Sequence, residues 1–497
     1  MRLLPFSLAA FFLLSDALAA PSPAYPAQSI PLVRRARPQR NATELGSWLQ
    51  GQKAGLEAKY GGGRSAYQKR ATGLNLITNQ DSDSSFYGSL AVGTPAVSFN
   101  VILDTGSADL WLASNVAAAS LDSGTPTFDA SSSSSFKDLN TTFRIEYGLG
   151  AAAGVLGQDK VQMAGFEVNT QAFGVVEQIT ANLLNAPVSG LIGLAFQNIS
   201  SSGAKPFWQT LAETSGTMDS PLMAIQLTRY TDDAKAQTLE PGGTLTFGAV
   251  NTTLFTGNID YQDIPNGLVG YWLQELTSAC PRVLCAMVDV DLYLSVGRLD
   301  CERERMSLTS GSTSFAAIDT GTTLVGGPSD AIASLYAQIP GSVALTGQSQ
   351  GFWSYPCSST INIALTFGNS TTSWPISPKD FLFSQSGSSC IGAFFEANTS
   401  GTTPPWIIGD TFLKNVYSVF RASPPAVGFA ELSSVALAMN GAVGSAPSPT
   451  IGSVSATVGA SGSSSQNSAA RDVRAGGVVV AWATVVVVGV VWGALGS

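Results

Sequence analysis

No histidine occurs among the 497 residues. Without imidazole there is no general base for a Ser-His or Cys-His nucleophile. Histidine-ligated zinc, including the H-E-x-x-H metalloprotease helix, is excluded by the same absence. A hydrolase of this composition is left with carboxylates as acid and base. Charge is scarce too: 12% of residues are charged, with a formal balance of −9, against about 25% in an ordinary soluble protein. Nucleic-acid binding, which needs a basic surface, is not expected. Cysteines number five and none precedes Cys280. Long apolar runs are confined to the two ends.

At the front, Arg2, the apolar run Leu3 to Leu14 and the small-residue site Ala17-Leu18-Ala19 read as a signal peptide over residues 1–19. The run is too short to span a bilayer. At the other end, Val478 to Leu495 is an uncharged stretch of 18 residues followed only by Gly496 and Ser497. A spanning helix would carry basic residues on its cytoplasmic side. The pattern fits a glycosylphosphatidylinositol (GPI) signal instead: Asn467-Ser468-Ala469 as the small attachment residues, with Asn467 the attachment point, then the spacer Ala470 to Gly477. Residues 468–497 would then be removed.

Between these ends the charge reverses. Residues 20–70 carry a net of +7 and residues 71–497 a net of −16. The basic segment closes on the dibasic pair Lys69-Arg70, so it reads as a removable propeptide of opposite charge to its own body. From residue 71 to 435, short β-branched and aromatic runs alternate with Gly, Ser, Asn and Pro clusters, and helical periodicity is confined to Lys205 to Thr214 and Pro328 to Gln338. The expectation is an all-β body in two lobes, 71–258 and 259–435. Residues 436–467, rich in Ser, Ala and Gly, read as an O-glycosylated stalk. Sequons at Asn140, Asn198, Asn251, Asn369 and Asn398, with another at Asn41, agree with extracellular exposure.

One pattern occurs twice. Val101-Ile102-Leu103-Asp104-Thr105-Gly106-Ser107 returns as Ala316-Ala317-Ile318-Asp319-Thr320-Gly321-Thr322. Each copy is followed later by an apolar pair and a glycine, Leu191-Ile192-Gly193 and Ile407-Ile408-Gly409-Asp410. A duplicated lobe contributing one aspartate from each half explains both repeats. Two carboxylates in contact cannot both ionise, so they share a proton. The charged member can activate a water and the protonated member can hydrogen-bond a scissile carbonyl. That chemistry requires no metal and no cofactor.

These motifs resemble the pepsin-like aspartic peptidases over residues 84 to 432. The resemblance implies a bilobal double β-barrel fold with pseudo-two-fold related lobes and a central cleft. It also implies that Thr105 and Thr320 cross-brace the two loops and that Ser107 and Thr322 bond the outer carboxylate oxygens. Tyr147-Gly148 matches the position of the family's substrate-covering flap, with Trp111 as the tyrosine's partner, and Cys357 with Cys390 matches its C-lobe disulfide. The GPI-like terminus narrows the likeness to the lipid-anchored fungal, yapsin-like members. Lys59-Tyr60 resembles the inhibitory Lys-Tyr of their propeptides.

The match falters in places. Leu149 and Ala151 stand at flap positions that are commonly polar, and Ser189 replaces a usual aspartate. Cys280, Cys285 and Cys301 lie in an anomalous stretch, 279–305, which reads either as an insertion loop with Cys280 and Cys285 paired or as a translated intron. The expectation is a monomeric, secreted, cell-surface or wall-bound zymogen cleaving extended polypeptides at acid pH. Its rivals are a catalytically silent peptide-binding protein on the same scaffold and a structural wall glycoprotein.

Overall fold

The computed structural model describes residues 72–231, 233–285, 306–308, 311–397, 399, 404–451 and 457–458. The chain is all-β, as its alternating short runs require. In the first half the strands are β1 (Gly73–Gln80), β2 (Ser85–Val92), β3 (Val97–Asp104), β4 (Leu110–Ala113), β5 (Lys137–Tyr147), β6 (Gly150–Met163), β7 (Phe166–Ile179), β8 (Val188–Gly193), β9 (Leu222–Leu227) and β10 (Leu239–Phe247). Strand β11 (Phe255–Asp263) leads to the second half and β12 (Leu273–Cys285) opens it. The helices Phe207–Glu213 and Ser329–Tyr336 fall where the periodicity places them. Each buries one apolar edge: Phe207, Trp208 and Leu211 in the first, Ile332, Leu335 and Tyr336 in the second.

The internal repeat is visible in the strand pairing. Strand β3 runs parallel to β8, with Leu103 opposite Ile192 and Asp104 opposite Gly193, and β4 runs antiparallel to β8. In the second half, Phe315–Ile318 runs parallel to Trp406–Ile408, with Ile318 opposite Ile408. Val325–Gly327 runs antiparallel to that same strand. Five residues past each aspartate the chain bonds back to the facing strand's glycine: Gly193 N donates to Asp109 O (2.9 Å) and Gly409 N to Leu324 O (3.1 Å). Parallel neighbours end at the same edge of a sheet, which is why both aspartates emerge where a second loop crosses them.

Three features depart from the sequence reading. The lobe boundary at 258/259 falls inside β11, which pairs with Pro425–Leu432. That strand joins Val416–Ala422, β9, β10 and β1 in one continuous sheet, so both halves share a floor. Secondly, Ala279–Cys285 continue β12 against Ser359–Phe367, with Cys285 opposite Ser359. Five strand residues span about 16 Å, well over the Cα separation a disulfide bridges, so the backbone of this strand does not suit the expected pairing of Cys280 with Cys285. Thirdly, the stretch read as a free stalk from residue 436 begins in a packed helix, Ser434–Leu437, and then lies along the body. Tyr230 Oη donates to Ala442 O (3.0 Å), Gly444 N to Glu240 Oε2 (2.8 Å) and Thr450 N to Ser89 Oγ (2.9 Å). Ala164 N and Gly165 N donate to the carbonyls of Thr450 and Ile451, and Ile451 is buried. Low-charge composition cannot reveal this, because backbone groups make most of these bonds.

Candidate active site

Each Asp-Thr-Gly turn follows a strand buried on both faces, so the turn is held at the sheet edge while its polar side chains face inward. Thr105 N donates to Thr320 Oγ1 (3.1 Å) and Thr320 N to Thr105 Oγ1 (2.9 Å). The hydroxyls are then spent across the lobes: Thr105 Oγ1 donates to Ile318 O (2.8 Å) and Thr320 Oγ1 to Leu103 O (2.6 Å). The two turns are therefore bolted to one another, and Asp104 and Asp319 are both buried.

Around each carboxylate the same donors recur. Gly106 N and Ser107 Oγ donate to Asp104, at 2.7 and 2.5 Å. Gly321 N and Thr322 Oγ1 donate to Asp319, at 2.8 and 2.6 Å. Each carboxylate lies over the other loop's glycine. A Cβ built on Gly106 would stand 2.5 Å from Asp319 Oδ1, and one on Gly321 would overlap Asp104 Oδ1, so no larger residue fits at either position without a shift of the carboxylate. Burial pushes the Asp104 carboxyl well above the ordinary range. The adjacent Asp319 charge and a hydrogen bond from Asp104 to Asp319 add to this, outweighing the bonds from Ser107 and Gly106. One proton held between two carboxylates is the arrangement that follows.

Above them stands the β5–β6 hairpin, whose two-residue turn is closed by Tyr147 opposite Gly150. Trp111 Nε1, fully buried on β4, donates to Tyr147 Oη at 2.7 Å. Tyr147 also hydrogen-bonds Ser107, and burial followed by the Asp104 charge drives its phenol far above its usual value. It stays neutral and works as a hydrogen-bonding group. Leu149, at the hairpin tip, is exposed.

Three nearby residues escaped the sequence reading. Asp109 is buried and accepts from Ser200 Oγ, Ser201 N and Ser202 N, pinning the loop that borders the turn. Tyr271 feels both buried carboxylates, its phenol raised by burial, then Asp319, then Asp104. Asp410 is buried, and its raised carboxyl results from burial and the nearby Asp319, despite Lys414. Asp410 closes the second repeat, so a signal existed for it; a lone tyrosine at 271 carries none.

Cys357 and Cys390 form a disulfide in the second lobe. Asn140, Asn198 and Asn369 are exposed and Asn251 half-buried. Lys59, Tyr60, Lys69, Arg70, Asn398, Cys301, Asn467 and the GPI signal lie outside the described residues. Among the described residues no cluster suits a metal ion, and no helix is long and apolar enough to cross a membrane.

Residues 85–432 match the family model of the eukaryotic aspartyl proteases. The chain is 41% identical to major aspartyl peptidase 1 of Cryptococcus neoformans var. grubii, over 84% of this chain and 87% of that one. It is 30% identical to an aspartic protease of Phaffia rhodozyma, over 77% of this chain and 85% of the relative. Against pepsin A of Sus scrofa it is 29% identical, over 70% and 81% of the two lengths.

Proposed function

Because this chain belongs to the eukaryotic aspartyl protease family and is an aspartic endopeptidase, we propose that Asp104 and Asp319 are its catalytic pair. The observation that carries the assignment is the buried carboxyl–carboxyl contact with the proton affinity of Asp104 raised. In this reading Asp104 holds the shared proton and donates it to the scissile carbonyl, while Asp319 takes a proton from the attacking water. Attack gives a tetrahedral diol, and proton return to the leaving amine breaks the C–N bond. Ser107, Thr322 and the two glycine N–H groups hold both carboxylates in place, so little reorganisation accompanies the reaction. Tyr147 closes over the extended polypeptide, and Trp111 keeps its hydroxyl aimed at the site.

The same reading makes the enzyme a secreted zymogen, tethered by a GPI lipid to the cell surface or wall and acting as a monomer, of the yapsin-like kind. It is supported by the signal-like front, the +7 segment ending at Lys69-Arg70 against a −16 body, and the apolar Val478 to Leu495 stretch. On this reading Lys59, which with Tyr60 resembles an inhibitory Lys-Tyr, supplies the cation that blocks the carboxylates before maturation. Asp104→Asn keeps the shape and removes the acid, so peptide hydrolysis at acid pH should fall by about 10³-fold or more. A statine-type mimic of the diol should inhibit the parent protein. An Asp104→Asn protein that still hydrolyses peptides would end the assignment.

A further inference from the structure

We infer that Thr180 is a positioning residue for the flap, and that its hydroxyl governs how firmly the hairpin holds a bound peptide. This rests on the reading of the Tyr147–Gly150 turn as the substrate-covering element. Strand β7 pairs with β6 as far as Ile179, opposite Ala152, and would otherwise leave the hairpin free from Ala151 onward. Thr180 extends the hold by one residue. Its backbone N donates to Ala151 O (3.0 Å), its Oγ1 accepts from Ala151 N (2.9 Å), and the same Oγ1 lies 3.3 Å from Ala151 O as a donor. Both backbone groups of Ala151 are thus taken by one threonine.

The fit is close. Gly150 has φ +155°, and a Cβ built there would lie 2.6 Å from Thr180 Cβ and 2.9 Å from its Cγ2, so the threonine side chain fills the space the glycine leaves. Just before it, Ile179 packs in the same apolar cluster as Tyr147 and Trp111, and after it Leu183 N donates to Thr180 O (3.2 Å), so the brace is itself anchored on both sides. Beyond the brace lie only Tyr147–Gly150, the four residues that carry the tyrosine and the exposed Leu149. Ala151 has no side chain able to make such contacts, so the hydroxyl that steadies the flap comes from the residue just after β7. An edge N–H released from this brace would face water and the hairpin tip would gain an extra mobile residue.

A brace on the flap acts on bound substrate and transition state alike, so its loss should appear in KM with kcat retained. Thr180→Val keeps the shape and removes the acceptor; Thr180→Ser keeps the oxygen. With the mature enzyme and a long chromogenic peptide, Thr180→Val should raise KM about fivefold, the scale of one hydrogen bond, while kcat stays within twofold and Thr180→Ser matches the parent. A KM for Thr180→Val within twofold of the parent would overturn the inference, as would Thr180→Ser behaving like Thr180→Val. Tyr147→Ala in the same assay separates the two levels of the argument. If it retains full kcat/KM, the flap reading itself fails; if it loses activity while Thr180→Val is silent, the brace alone fails.

Discussion

Lys414 is the buried cation on which the two halves of the molecule converge, and replacing it with methionine should be among the costliest single substitutions for stability. Its Nζ lies 2.8 Å from Asp83 Oδ2 and 3.0 Å from Asp380 Oδ1, with the Lys414 side chain 5% exposed and the carboxylates 3% and 0%. Asp83 belongs to the β1–β2 turn, whereas Asp380 sits in the second lobe. Asp380 keeps a forked partner in Arg229, at 2.9 and 2.5 Å, and a bond from Asn415 Nδ2 at 2.8 Å. Asp83 keeps neutral donors, Asn79 Nδ2 at 2.6 Å, Tyr230 N at 2.7 Å and Thr231 N at 3.1 Å, but no other cation pairs with it among the described residues. Stranding a buried carboxylate costs about 3–5 kcal/mol; because Asp83 keeps these donors, about 3 kcal/mol is expected. With a urea m-value of about 3 kcal/mol/M, the unfolding midpoint should drop by about 1 M. Adding Asp83→Asn removes the stranded charge and should restore half of that or more. The pH dependence follows from two opposed balances. Burial pushes the Asp380 carboxyl up, but Lys414 and Arg229 outweigh it and hold it below the ordinary range. Burial likewise lowers the Lys414 ammonium, but Asp380 and Asp83 outweigh it and raise it. A depressed acid stabilises above its unfolded value, about 3.9, and that contribution is lost as pH falls through the folded value. A raised base stabilises below about 10.4 and loses its contribution as pH rises through the folded value. The gap between parent and Lys414→Met should therefore be widest at neutral pH and narrow as pH falls, because acid protonates the carboxylates that the substitution strands. A midpoint for Lys414→Met within about 0.3 M of the parent, or no rescue by Asp83→Asn, would refute the reasoning.

The raised carboxyl of Asp410 has the opposite sign: its contribution is complete below the unfolded value of about 3.9 and is lost as pH rises through the folded value. Asp410→Asn should therefore lose less stability than the parent between pH 4 and 7 in urea titrations, while Asp104 keeps both curves falling; parallel curves would contradict this. Ending the chain at Asn440 removes the acceptors of Ala164 N and Gly165 N, and the donor to Ser89 Oγ. Compared with a chain ending at Val458, it should be about 2–4 kcal/mol less stable and exchange the Leu76 amide faster, since that amide donates to Thr450 Oγ1; equal urea midpoints would show the tail to be a passive stalk.

Local order made much of this protein legible. Asp-Thr-Gly after an apolar strand is a short-range pattern, and its repetition implies that two strand-turn units are built alike. The helices at 207–213 and 329–336 and the all-β class were readable from local periodicity, whereas Tyr147 and Trp111 stood out only through the resemblance of their segments to the family's. The cross-bonds of Thr105 and Thr320 and the stacking of each carboxylate on the opposing glycine follow once the two units face each other.

What the linear order could not supply is any interaction whose partners are far apart and individually ordinary. Lys414 and Asp83 are separated by 331 positions, and neither stands in a motif. Thr180 is one of many threonines until β7 ends beside Ala151. The tail after residue 436 has a composition that predicts no packed structure, yet its main chain finds buried partners in Asn75 and Ser89. A sequence records side-chain chemistry and its local period, so it determined which groups could catalyse. Proton affinity depends on burial and on charges brought close through space, so only the folded chain decided that Asp104 holds its proton, that Asp380 gives its own up, and where the flap is held.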